Sequence, residues 1–123
     1  MKRKILLHPD PRLKKKAAPV AEINDDLRRL ADDMVETMYA APGVGLAAPQ
    51  IGVLERLIVV DCNPDDSTKS GALVMFNPQV TAQSDITSSY EEGCLSIPDH
   101  YAEVTRPAEV TVSWLDSDGV QQQ

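Results

Sequence analysis

From residue 24 to residue 43 the apolar side chains return every three or four positions. Leu27, Leu30, Met34 and Met38 recur in this way, with Ala31, Val35 and Ala41 alongside, and charged groups fill the gaps. That period places the apolar groups on one stripe of an α-helix. Asn24 can cap the helix by accepting a bond from an early backbone N–H, and Asp25 and Asp26 suit the positive end of its dipole. Pro42-Gly43 ends it. On this pattern Met34 and Met38 are core residues.

Beyond the helix the pattern shortens to strands. "ERLIVVDC" (55–62) reads as a strand with a buried centre, and "NPDDSTKSG" (63–71) as a polar loop. "ALVMFNPQVT" (72–81) is a second strand, in which Pro78 marks a bulge or an edge because it cannot donate to the ladder. "AEVTVSWLD" (108–116) is a third, with Val110, Val112 and Trp114 alternating inward. Asp118-Gly119 is then a hairpin turn signal, since glycine tolerates the positive φ of a tight turn. Only residues 120–123 remain for the returning strand, too few to pair along the whole of 109–116. Ahead of the helix, "HPDPRLKKKAAPV" carries prolines at 9, 11 and 19 and reads as an extended strap lying on the domain.

Composition narrows the class. A chain of 123 residues, 42% hydrophobic and 25% charged, is long enough to bury a core as one globular domain. A net charge of −7 argues against a broad nucleic-acid surface, which needs a positive field. The short run Lys14 to Lys16 reads as a solvated face. No apolar run approaches the ~20 residues of a membrane span, and the start "MKRKILLHPDPRL" is not a secretory signal. Two cysteines without an export signal point to reduced thiols in a cytoplasm.

Two segments carry candidate chemistry. "APGVGLAAPQIG" (41–52) has side chains too small to build a core, which lets another group approach its backbone. It is not a phosphate loop, because no Lys-Ser/Thr follows its glycines. It reads either as a tight buried connector or as a ligand-facing loop, and Gln50 weighs toward the second. A lone amide in so apolar a run needs partners, or costs about 1–3 kcal/mol. The other segment, "YEEGCLSIPDH" (90–100), holds Cys94. The thiol could fill a core, ligate a metal or act as a nucleophile. A nucleophile needs a base, and the histidines are His8, a turn residue in the strap, and His100, expected to be exposed.

"GVGLAAPQ" (43–50), followed about forty residues later by "EEGCLSIP" (91–98), resembles the peptide deformylase family. "HPDPRL" and "VETMYAAPG" are similar to that family too. The family removes the formyl group from the N-terminal methionine of new bacterial and organellar proteins. The resemblance implies that Cys94 is a thiolate ligand of a divalent metal, iron(II) first, with zinc(II) or nickel(II) as alternates. It implies that the Gln50 amide and the Leu95 backbone N–H stabilise the formyl oxygen as it becomes negative. Gly45 matches a position where a side chain would crowd the formyl group. Val44 and Gly45 would present backbone to a peptide lying as an added strand, and Glu92 and Gly93 match the shoulder of the same cleft.

The sequence departs from the family at two places. Tyr101 stands where many members carry Arg, and the H-E-x-x-H motif that supplies two histidine ligands and a glutamate occurs nowhere in it. Hence the expectation is a single α+β domain over 1–123, the N-terminal two-thirds of a deformylase-like unit. One long helix packs on antiparallel or mixed strands, and the C-terminal helix is absent. The expected partners are N-formylmethionyl peptides and the ribosome, with no membrane and no specific nucleic acid. Alone, such a chain is expected to be inactive. The alternative is a non-catalytic relative that keeps the cleft for peptide recognition.

Overall fold

The computed structural model describes residues 2–61 and 71–123. Cys62 and, apart from Gly71, the loop expected at 63–71 lie outside the described residues. Helix α1 runs over Asp25–Ala40, with the Asn24 side chain accepting from the Leu27 N–H as an N-cap. Ala41 N and Gly43 N then bond to Thr37 O and Met38 O, closing the helix at the expected Pro-Gly.

Among the described residues seven strands follow. β1 (Gly45–Ala47), β2 (Leu57–Val60), β3 (Leu73–Gln83), β6 (Val110–Leu115) and β7 (Gln121–Gln122) form one sheet in the order β1-β2-β3-β6-β7, all antiparallel. β4 (Thr87–Cys94) and β5 (Ile97–Pro107) pair with each other as a separate two-stranded ribbon. The fold is thus α+β with antiparallel strands, as the sequence pattern implied.

The core lies between α1 and the first three strands. Met34, Met38, Leu57, Val59 and Phe76 are fully buried, joined by Leu30, Ala31, Leu46 and Ala48. Leu27 and Val35 pack at its margin. The helical stripe is therefore what its spacing predicted, and Met34 and Met38 are core.

Pro78 sits at a break in register between Phe76 and Gln79, so it marks a bulge in an interior strand and not an edge. Asn77 makes that bulge possible. It adopts φ 51, and its side chain accepts from Val20 N at 2.7 Å and donates to Val20 O at 2.9 Å, stitching the strap to the sheet. Two strand readings need correction. In β6 the residue packed on the core is Leu115, out of phase with Val110, Val112 and Trp114, and Val110 is exposed. The core meets β6 only at its end, so alternation along the strand did not reveal which face is inward. Within 41–52, residues expected to form a loop make edge strand β1 and a 3-10 turn over Ala48–Ile51.

The Asp118-Gly119 turn forms with Gly119 at φ 78, and β7 pairs with β6 at two positions only. The strap is extended apart from a 3-10 turn at Pro11–Lys14, which Asp10 caps. It is tied down at Arg3 N to Thr37 Oγ1 (2.8 Å), Leu6 N to Gln50 O (2.7 Å) and His8 N to Ser96 O (2.8 Å). These last two bonds hold together the two segments that carry the candidate chemistry.

Candidate functional site

Gln50 occupies the 3-10 turn that leaves β1, with Pro49 ahead of it and Gly52 behind at φ 86. The turn points the side chain toward the end of β4. Its Oε1 accepts from Ala47 N at 3.0 Å, and its Nε2 donates to Ser96 Oγ at 3.1 Å and faces Cys94 Sγ at 3.7 Å. A half-buried amide that could have been an isolated polar group is therefore satisfied on both sides.

Cys94 ends β4, where the ladder slips between Gly93 and Cys94, and Leu95 and Ser96 make the turn into β5. Its thiol is exposed, which overturns core filling. Leu95 anchors the turn by packing its side chain against the core, while Ser96 is 3% exposed.

Together these elements frame an open cleft of about 880 Å³. One wall is Gly43, Val44 and Gly45, and the other is Gly93, Cys94 and Leu95, with Gln50 between and Asp99, His100 and Tyr101 at the rim. β1 is an edge strand, so one side of its backbone is unpaired within the sheet, and Val44 beside it is 59% exposed. Glycine at position 45 is not demanded by packing: a Cβ there would meet only Val59 O, at an ordinary 3.7 Å. The missing side chain leaves the cleft floor open. Gly43 and Gly93 are different. A Cβ at Gly43 would lie 2.7 Å from Leu95 Cδ1, and one at Gly93 would lie 2.8 Å from the Tyr101 ring.

A sequence model of the family "polypeptide deformylase" matches residues 2–123. The peptide deformylase of Rhizobium meliloti (strain 1021) is 54% identical over 118 residues, a match covering 96% of this chain and 67% of that protein. Among solved structures, a peptide deformylase from Legionella pneumophila superposes with TM-score 0.92 at 46% identity, covering 99% of this chain and 70% of that one. One from Synechococcus elongatus, in complex with actinonin, gives 0.93 at 39% identity, covering 98% of this chain and 65% of that one. The chain belongs to the peptide deformylase family. Peptide deformylases are hydrolases that act on N-formylmethionyl nascent peptides with a divalent metal.

The residues that would serve a deformylase divide by position. Val44, Gly45, Gln50, Gly93, Cys94 and Leu95 converge on the cleft. Glu92 does not. It is not among the residues lining the cleft, and Arg106 on the neighbouring strand grips both its carboxylate oxygens at 2.8 and 2.9 Å. That paired guanidinium holds the Glu92 carboxyl below its ordinary range. His8 lies in a turn, and His100 is exposed at the cleft rim.

The metal a deformylase needs is not accommodated by these residues alone. Among the described residues no three His, Cys, Asp or Glu side chains gather into a site, and Cys94 is the one cysteine at the cleft. A metal held tightly takes three or four protein ligands. No described helix is long and apolar enough to cross a membrane.

Sequence reasoning had no role for Ser96 or for the strap backbone in the site. Ser96 did carry a signal: it is a lone hydroxyl between Leu95 and Ile97, and a buried hydroxyl needs a partner.

Proposed function

We propose that this chain seats the formylated N-terminus of a nascent polypeptide for hydrolysis of its formyl C–N bond, which gives formate and a free amine. The observation that carries the reading is the convergence of Gln50 and Cys94, 3.7 Å apart, beside an edge strand that has glycine where a side chain would fill the cleft. Peptide backbone would add to β1 along Val44 and Gly45, in the manner of strand addition. The methionyl end would then reach Gly45, whose bare backbone leaves room for the small formyl group. Gln50 Nε2 and the Leu95 backbone N–H are the donors for the formyl oxygen. Gly93 lets the Tyr101 ring pack against the opposite wall, and Glu92 acts only through its grip on Arg106.

Among the described residues Cys94 is the metal ligand, with iron(II) as the ion. Because one thiolate does not retain iron in water, the remaining ligands belong to a segment or chain outside this sequence, and 1–123 is one part of the catalytic domain. The setting is the cytoplasm, at the ribosome, where formylated N-termini emerge.

A titration of the 123-residue protein with a formyl-Met peptide tests the reading. Saturable binding is expected, weaker for the same peptide without its formyl group, with little turnover when iron(II) is added anaerobically. Equal binding of both peptides would overturn the proposal. Where all ligands are present, Gln50→Ala should lower kcat by about 10²–10³, the typical effect of losing one such donor. The lack of a ligand set among the described residues favours a second reading, a peptide-binding relative without catalysis. Stoichiometric metal with turnover in the isolated protein would defeat it.

A further inference from the structure

We infer that Ser96 is the positioning residue for Gln50, and that the N-terminal strap locks the pair from behind. This rests on the reading of Gln50 as a donor to the substrate. A glutamine amide can present either end, and what settles its orientation is the chemistry of its neighbours. The Ala47 N–H can only donate, so the group facing it at 3.0 Å is Oε1. Nε2 is thereby turned to the other side, where Ser96 Oγ accepts one of its two protons at 3.1 Å. The second proton is left toward the cleft and the Cys94 sulfur, 3.7 Å away and a weak acceptor. The hydroxyl thus fixes the amide at its free end and directs the remaining N–H to where the formyl oxygen would lie.

Ser96 itself is held. It is 3% exposed, and its carbonyl accepts from His8 N, while the Gln50 carbonyl accepts from Leu6 N. Two rungs of one strap therefore span the gap between the Gln50 turn and the Ser96 turn. Neither segment contacts the other in sequence, so without these rungs only side chains would set their spacing. Positioned donors are effective because they need not reorganise as charge develops.

The test follows the Gln50 side-chain amide by nitrogen-15 NMR in the full 123-residue chain. In the wild type its protons should exchange with water slowly, as those of a held group. Ser96→Ala should speed that exchange at least tenfold, with the dispersion of the β1–β3 amide signals intact. Ser96→Thr, which restores a hydroxyl, should return it toward wild type. A Gln50 amide that exchanges freely in the wild type would overturn the inference. So would one indifferent to Ser96→Ala in a folded variant. A formyl-Met peptide should perturb the same resonance, and bind several-fold more weakly to Ser96→Ala. Should neither protein bind the peptide while the amide remains locked by Ser96, the positioning stands and the seating of substrate falls.

Discussion

The helix–sheet half of the molecule and the β4–β5 ribbon are built on different physics, although each supplies one wall of the cleft. In the first, α1 and β1–β3 enclose Met34, Met38, Leu57, Val59 and Phe76 at no measurable exposure. In the second, Tyr90, Ile97 and Tyr101 are all at least 40% exposed, and cohesion comes from the cross-strand ladder. The Ser89–Thr105 hydroxyl contact at 2.7 Å and the Glu92–Arg106 pair add to that ladder. Gln50 comes from the packed half and Cys94 from the exposed one, so the site depends on whatever joins them. Three things do: Leu95 packed into the core, the Gln50–Ser96 hydrogen bond, and the strap rungs at Leu6 and His8.

The contrast can be broken most severely from the packed side. Phe76→Ala should cost about 3–5 kcal/mol, the usual range for emptying a buried aromatic site. Tyr90→Ala on the ribbon should change the denaturation midpoint far less. Comparable losses for the two would mean that the ribbon is not the weakly packed region described above.

A smaller effect is expected where the halves meet. Gly43→Ala would drive a Cβ to 2.7 Å from Leu95 Cδ1, and Leu95 must shift to accept it. Overpacking of this kind costs about 1–3 kcal/mol. Because Leu95 anchors the turn that carries Cys94, formyl-peptide affinity should fall as well. Denaturant unfolding together with a binding titration would show whether the two losses coincide.

Acid should produce the mildest change, confined to the ribbon. Arg106 holds the Glu92 carboxyl below its ordinary value of 4.5. A depressed carboxyl contributes stability that is present above the ordinary value and lost as pH falls through the folded one. Arg106→Ala should therefore be slightly less stable than wild type at neutral pH. The gap should close as the pH drops below 4.5, and shrink in high salt because the pair is exposed.

Much of this was legible in the chain itself. Helix α1 could be read with its cap and its stop, because a 3.6-residue apolar period and local capping chemistry depend on neighbours in sequence. The Asp118-Gly119 turn and the Pro78 bulge were local in the same sense. Cys94, Gln50, Leu95, Val44, Gly45 and Gly93 were named from their two motifs, and the structure brings them to one cleft. Glu92 shared a motif with them yet does not line the cleft, because Arg106 across the ribbon takes both of its carboxylate oxygens.

What the sequence determined by itself was the set of local conformations, together with the residue types gathered in "GVGLAAPQ" and "EEGCLSIP". Which face of β6 meets the core, where Glu92 points, and that Ser96 and the strap hold Gln50 were decided only by the tertiary structure. Those outcomes turn on hydrogen bonds between segments about forty or more residues apart, such as Gln50 to Ser96 and Leu6 to Gln50. No periodicity encodes such pairings, since each partner's local environment is the same whether or not the other arrives.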